Sequence, residues 1–400
     1  MVLAFAVIAA GLTGPGQTIG VSVFIDHFVD DLSLSRSQVS TAYLIGTLAG
    51  AALLPSVGKF IDRRGVRVSQ VIIGLLFGLA LVNMSFVNGI IWLAIGFGGI
   101  RFLGQGSLSL VSTVTVQLRF NRTRGTALGI FTTASAGVMA LVPVVLAITI
   151  SAFGWRQAWL VAAAVVVGLV VPIAWFGLRD LPSGTRPAAR RDEMREIGGR
   201  SDTDSFDRGE AMRTSSFWML VAVSGAASMM ATALNFHQID LLGDAGLSEK
   251  AAAALFIPQV VGSSVAGLSI GYIGDRIGTR YLPAVGMVLL LAAQLLAAVA
   301  APGVIVVLYA IVLGASGGAV RTASATLQPS WFGTGHIGSI QGALTLFGVG
   351  ASAIGPVALT LTEEWMGSYP PAIMLLGIVP AVALLFALGP NTGPGHRRER

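Results

Sequence analysis

Cysteine is absent from this 400-residue chain, which excludes disulfides, a thiolate metal site and a thiol nucleophile. Charge is scarce: 11% of residues are Asp, Glu, Lys or Arg, against about 25% in soluble domains. There are four histidines, and His27, His237, His336 and His396 lie too far apart in the chain to suggest a metal site. No Asp or Glu falls well inside an apolar run. Asp26 and Asp240 stand at run ends, and Asp62 and Asp275 lie in the turns between runs. With no cysteine, no clustered histidine and no buried carboxylate pair, a membrane enzyme is not expected, nor is a metal or other cofactor.

What the chain does have is apolar surface. Hydrophobic residues make up 54% of it and the mean hydropathy is +0.79, the signature of a polytopic membrane protein. Twelve runs are long enough to span a bilayer, at 3–25, 38–57, 68–87, 90–112, 125–150, 158–178, 216–236, 251–271, 282–300, 304–327, 338–361 and 371–389. They are continuously apolar rather than alternating, which predicts helices and not a barrel. The chain enters its first run without a basic lead, unlike a signal peptide. The net charge of +6 is read as basic loops rather than a nucleic-acid surface.

The cations are distributed unevenly. Loops after even-numbered spans, with the C-terminal tail, hold 20 of the 25, among them Lys59, Arg63, Arg64, Arg67, Arg119, Arg122, Arg124, Arg276 and Arg280. Loops after odd-numbered spans hold only Arg36, Arg156 and Lys250. Both termini are therefore expected on the cytoplasmic side of the cell membrane.

One charged turn occurs twice. Gly58–Arg67 reads GKFIDRRGVR, and 213 residues later Gly271–Arg280 reads GYIGDRIGTR. Gly58, Asp62, Arg63, Gly65 and Arg67 match Gly271, Asp275, Arg276, Gly278 and Arg280. The same spacing pairs Asp31 with Asp244, Leu34-Ser35 with Leu247-Ser248, Gly104 with Gly317, Gly129 with Gly342, Gly137 with Gly350, Pro143 with Pro356 and Gly154 with Gly367. These are residues that fix backbone shape or sit at element ends, not the Ala, Leu and Val that chance would match. The chain is read as a duplication: a six-helix bundle at 1–178, a linker at 179–214 with eight basic and eight acidic residues, and a second six-helix bundle at 215–400 with a short cytoplasmic tail. The linker reads as a solvated connector.

Two cations remain inside spans, Arg101 in the fourth and Arg321 in the tenth. An arginine within a bilayer keeps its charge and must face water or a partner. Arg101, Gln105, Ser109 and Ser112 form one polar stripe at helical spacing, and Gly314, Gly317, Arg321, Ser324 and Gln328 form another. With no carboxylate in the spans to neutralise these arginines, a bound anion is the simplest partner, and guanidinium suits a carboxylate bidentately. The alternative is structural, each arginine tying free carbonyls or loop groups. Gln17 and Thr18 lie beside Gly14, Pro15, Gly16 and Gly20, where a broken first helix would expose backbone to a cavity. Asn235 ends the seventh span, and Tyr43, Gln259 and Tyr309 are further cavity candidates. His237, Asp26 and Asp240 are the titratable groups placed to couple a proton.

The repeated turn, the twelve spans and the six-plus-six duplication resemble the major facilitator superfamily over essentially the whole chain. RFNRTRGTALGIFTTASAG (Arg119–Gly137), the Gly154-Trp155-Arg156 turn and Phe217-Trp218 are similar to monocarboxylate porters and oxalate/formate-type antiporters. The resemblance implies alternating access by two bundles and a central site lined by spans 1, 4, 7 and 10. It also implies a gating contact at Asp62 and Asp275. The chain departs from animal monocarboxylate porters in having no lysine in its first span and no Asp–Arg pair in its eighth, so their substrate mechanism does not carry over. The expected activity is secondary active transport of a small organic anion, a monocarboxylate or dicarboxylate, by proton symport or anion exchange. No obligate protein partner is expected. The rivals are an exporter of drugs or neutral metabolites, with structural arginines, and a non-transporting membrane sensor.

Overall fold

The computed structural model describes residues 1–120, 124–178, 206–277, 281–333 and 337–389. Of the repeated turn, Gly58, Arg63, Gly65 and Arg67 are described. The side chains of Asp62, Asp275 and Arg276, together with Gly278 and Arg280, lie outside the described residues, as does most of the 179–214 linker, while Gly271 is described in its backbone, within a helix.

The described residues are helical and contain no strand. In hydrocarbon no water can satisfy backbone N–H and C=O groups, so a long apolar run must close its hydrogen bonds within itself. Among the described residues nine helices are long and apolar enough to cross a membrane, and Val2–Gly16 and Leu282–Ala298 are shorter apolar ones. The fourth run is continuous from Ile90–Ile100 through Arg101–Leu108 to Ser109–Arg119, and it completes the twelve spans. The second and third spans form Arg36–Ser85, which is broken by non-helical geometry at Gly65 (φ 76°, ψ 162°). Only glycine adopts that backbone without strain, which accounts for Gly65 in the turn.

The duplication is visible in the backbone. Ser33 and Gly246, 213 residues apart, both have positive φ, as do Gly154 and Gly367. Ser35 caps the helix starting at Arg36, accepting from the Gln38 amide with a reciprocal Gln38 bond, and Ser248 accepts from the Ala251 amide. Each cap satisfies a helix-terminal N–H that would otherwise be unpaired. Short helices at Ile25–Leu32 and Gln238–Asp244 precede the two caps, and Pro143 and Pro356 lie inside long helices.

The chain divides into two compact units, Met1–Arg190 with Asn235–Ile257, and Arg191–Leu234 with Pro258–Arg400. Each unit has a close helix crossing made by glycine. In the first, Gly46 abuts the Ala94 carbonyl and the Gly98 amide, and Gly50 lies against Gly98 and Phe102. In the second, Gly314 lies on the backbone of Gln259, Gly318 on that of Ser263 and Gly262 on that of Ile311. Without side chains between them, the second and fourth spans, and the eighth and tenth, approach backbone to backbone, the small-residue packing of membrane helices.

A Cβ at Gly314 would meet Gln259 backbone, which cannot swing aside, whereas Gly129 has nothing within 4 Å. Gly314→Ala is expected to destabilise the protein by roughly 1–3 kcal/mol through overpacking. Gly129→Ala is expected to be neutral or stabilising by up to about 1 kcal/mol. Thermal unfolding of both variants in detergent checks the pair; equal midpoints would contradict the packing account.

Candidate functional site

In the first unit the site is assembled on a broken helix. The first span runs as Val2–Gly11, a 3₁₀ turn at Gly14–Gly16 and a second helix at Thr18–Ser22. Gly16 is pressed against the Ile100 carbonyl and the Phe77 ring, so no side chain fits there. Gln17, with extended backbone (φ −89°, ψ 160°), precedes the new helix, and its side-chain amide donates back across the break to Thr13 Oγ1 at 3.1 Å. The break turns the Thr18 hydroxyl toward the second and fourth spans, where it shares a 2.8 Å hydrogen bond with the Tyr43 hydroxyl.

Arg101 closes this cluster. Its Nη1 donates to Thr18 Oγ1 at 3.2 Å, and its guanidinium carbon lies 4.8 Å from the Tyr43 ring centroid. A desolvated cation over an aromatic face gains up to about 2 kcal/mol. Arg101 is 5% exposed, and no carboxylate pairs with it among the described residues. Its Nε is buried without an acceptor, and so is Gln105 Oε1 without a donor.

The stripe from Arg101 through Gln105 to Ser109 does not lie on a regular α-helix. Residues Arg101–Leu108 form a π-helix between two α-helical stretches. A π-turn is wider and appears mostly at functional sites. Two glycines inside it let neighbours close in: Gly104 lies on the Phe77 ring and Gly106 on the Leu54 side chain. The wider turn was not legible from a spacing that fits an α-helix equally well.

Aromatic rings extend from Arg101 in both directions. Tyr43 stacks edge-on against Phe97 (5.5 Å) and Phe236 (4.7 Å), Phe97 meets Phe28 (5.9 Å), and Phe28 meets Trp155 (5.2 Å). Trp155 Nε1 donates to Asp31 at 2.6 Å. Arg156 lies over the Trp155 ring and donates to the Val87 carbonyl at 3.1 Å, so the Gly154-Trp155-Arg156 turn ties three segments together. Asn235 precedes Phe236, and its Oδ1 is buried without a partner. His237 is buried edge-on to Phe236 at 5.0 Å.

Asp26 and Asp240 meet on one cation that sequence reasoning used only for orientation. Arg36 donates to Asp240 Oδ1 at 2.5 Å and lies 2.9 Å from Asp26 Oδ1, a charge contact whose angles fall outside hydrogen-bond geometry. Arg36 and Asp240 are 204 residues apart, so only the fold reveals the pairing.

In the second unit Arg321 donates through Nη2 to Ser263 Oγ on the eighth span, and Gly317 leaves room for its Nη1. Unlike Arg101 it is exposed, and it too has no carboxylate partner among the described residues. Ser324, one turn on, shares a 3.2 Å hydrogen bond with Ser224 of the seventh span. Tyr309 is fully buried with its hydroxyl unpartnered, and Gln328 is buried.

The chain matches the family model of the Major Facilitator Superfamily over residues 2–356. The chain belongs to the major facilitator superfamily. Its relatives and structural neighbours are membrane transporters, not enzymes. It is 30% identical to human monocarboxylate transporter 14 over 174 residues, 43% of this chain and 33% of that protein. It is 26% identical to the probable sulfoacetate transporter SauU of Cupriavidus necator over 186 residues, 46% of this chain and 42% of that protein. The matched stretch thus spans less than half of either relative's length. Among solved structures it is similar in fold to a bacterial homologue of the human lysosomal transporter Spinster (TM-score 0.76, 16% identity, 96% of this chain and 95% of that one). It is likewise similar to the nucleoside transporter NupG (TM-score 0.77, 13% identity, 97% and 99%). The chain therefore has the family membership and the multi-pass helical fold of these membrane transporters.

Arg36 serves two carboxylates at once, so losing one acid leaves the other paired while losing the arginine strands both. Asp26→Asn and Asp240→Asn are each expected to cost less than about 1 kcal/mol, as partly exposed ion pairs do. Arg36→Ala is expected to cost roughly 1–3 kcal/mol. Thermal unfolding of the three variants tests this; an arginine variant no less stable than either aspartate variant would refute it.

Proposed function

We propose that the protein is a secondary active transporter of a small organic anion, a monocarboxylate or dicarboxylate, working by alternating access in the cell membrane with both termini cytoplasmic. The observation that carries this reading is that Arg101 and Arg321, the cations inside the spans, meet hydroxyls and an aromatic face but no carboxylate among the described residues. A guanidinium in a low-dielectric site attracts an anion, and a carboxylate fits its fork. Arg321, exposed beside Ser263, is the first anchor. Arg101 is the second, already oriented by Thr18 and Tyr43. Gln105, Asn235, Gln17 and Tyr309 orient the remainder of the substrate, and three of them carry buried polar atoms without a partner. The likeness to monocarboxylate and sulfoacetate transporters supports an anionic substrate, and sulfonates join carboxylates as candidates.

The moving bodies in this reading are the two six-helix halves, 1–178 and 215–400, joined by the 179–214 linker. The turns at Gly58–Arg67 and Gly271–Arg280 gate the cytoplasmic side, with Asp62 and Asp275 making and breaking contacts at helix N-termini. Proton symport would use His237, Asp26 or Asp240. The two aspartates share Arg36, so a proton on either weakens a bridge rather than neutralising an isolated acid. Anion exchange requires no titrating group at all.

Uptake into proteoliposomes of labelled lactate, pyruvate, formate, oxalate, malonate, benzoate and sulfoacetate, with and without an inward proton gradient, tests the proposal. Arg321→Ala is expected to abolish uptake of the transported anion, and Arg101→Ala to reduce it at least tenfold. Dependence on the gradient separates symport from exchange. Uptake indifferent to Arg321, or none of any anion, would overturn the reading in favour of an exporter of drugs or neutral metabolites in which the arginines are structural.

A further inference from the structure

Away from these cations, the first unit carries a cavity of about 510 Å³ between the second, third and fourth spans. Its walls are apolar, with Val57 and Phe60 on one helix, Ile73 and Leu76 on the next, and Phe102 and Leu103 on the π-segment. The geometry that opens it follows from the glycines. The second and fourth spans touch at Gly46–Gly98, Gly50–Phe102 and Leu54–Gly106. Below that line Ser56, Phe60 and Arg63 are followed by the Gly65 turn, and the third span is left to close the far wall. The outer edge is flush with a membrane-facing surface: Leu75, Leu76 and Leu79 on the third span are 43%, 44% and 64% exposed.

The polar groups on the lining have defined partners with one exception. Ser56 Oγ donates to the Leu53 carbonyl at 2.6 Å, and Ser107 Oγ to the Phe102 carbonyl at 2.7 Å, each within its own helix. Arg63 stands at the end of the cavity nearest the turn, exposed, and has no hydrogen-bond or ion-pair partner among the described residues. An apolar slot that opens to the bilayer and ends at a guanidinium with no partner among the described residues is complementary to a molecule with a long hydrocarbon chain and an anionic head.

We propose that this groove is a binding site for an anionic phospholipid, with an acyl chain between the second, third and fourth spans and the headgroup phosphate on Arg63. A basic residue at the membrane surface attracts anionic lipid by an amount equivalent to about fivefold in affinity, and guanidinium pairs with phosphate bidentately. The site is independent of the substrate reading, since none of its lining residues is a substrate candidate. It also seats the lipid against the Gly58–Arg67 turn, so its occupancy bears on the segment that carries Asp62.

The test is native mass spectrometry of the full-length protein in detergent, offered phosphatidylglycerol and phosphatidylcholine of equal chain length. The wild type is expected to retain phosphatidylglycerol about fivefold over phosphatidylcholine. Arg63→Gln should bring that ratio close to one without abolishing lipid retention, and Arg63→Lys should keep most of it. Ser56→Trp, which fills the groove from an exposed position, should lower retention of both lipids and provides a readout should Arg63→Gln not fold. Equal retention of the two lipids by the wild type overturns the proposal. So does an undiminished preference in Arg63→Gln, or unchanged retention in Ser56→Trp.

Discussion

An arginine keeps its proton wherever it is placed, and in a span without acids its charge must be satisfied by something else. Arg101 shows what that demands of the fold. Its one hydrogen-bond acceptor among the described residues is a threonine hydroxyl that faces it because the first helix is interrupted, and the face of Tyr43 lies against it. The interruption is packed through Gly14, Gly16 and Gly20, since side chains there would collide with Val142, the Ile100 carbonyl and the turn itself, respectively. The π-segment beginning at Arg101 belongs to the same arrangement. It is packed against Phe77 through Gly104, and Phe77 is also the ring on which Gly16 rests. One buried cation, one broken helix and one widened helix are thus parts of a single packing solution.

The two halves began as copies and retained the punctuation more faithfully than the chemistry. The caps at Ser35 and Ser248, the left-handed residues Ser33 and Gly246, and the glycines Gly154 and Gly367 sit at equivalent positions. Each is a place where a backbone constraint leaves few residue choices. The close crossing recurs too, although the first half uses Gly46 and Gly50 of the earlier helix with Gly98 and Gly106 of the later, and the second uses Gly262 of the earlier helix with Gly314 and Gly318 of the later. The cations diverged: Arg101 is wrapped by Thr18 and Tyr43, while Arg321 is exposed on Ser263. A symmetric scaffold with an asymmetric interior is compatible with the proposed recognition of a substrate that lacks two-fold symmetry.

Much of this was legible in the sequence, because the membrane makes local pattern decisive. Spans follow from apolar run length, the turn at Gly65 from its glycine and its charges, and the break in the first helix from Gly14-Pro15-Gly16. The reading failed where the deciding contact was distant or the local signal degenerate. Arg36 looked like one stray cation on a loop, yet it holds Asp240, whose partner is set by packing and not by spacing. The aromatic path from Phe236 through Tyr43, Phe97 and Phe28 to Trp155 joins residues from five segments, and none announces itself in a chain already rich in apolar residues. The π-helix escaped because a four-residue step between polar positions fits either helix type.

The arginines divide by how much of their bonding capacity the protein itself uses. Arg36 is committed to two carboxylates, and Arg156 to a carbonyl and the Trp155 ring. These fasten loops, and their charge is not available to a ligand. Arg101, Arg321 and Arg63 differ: the first two meet neutral groups that orient a guanidinium without neutralising it, and the third has no polar partner among the described residues. With so few acids near the spans, these unneutralised cations are the positions proposed to take an anion from outside the polypeptide. Depth then separates the roles. In the proposed assignments, a cation within a span receives what crosses the membrane, and one at the end of a lipid-facing groove receives the membrane's own headgroups.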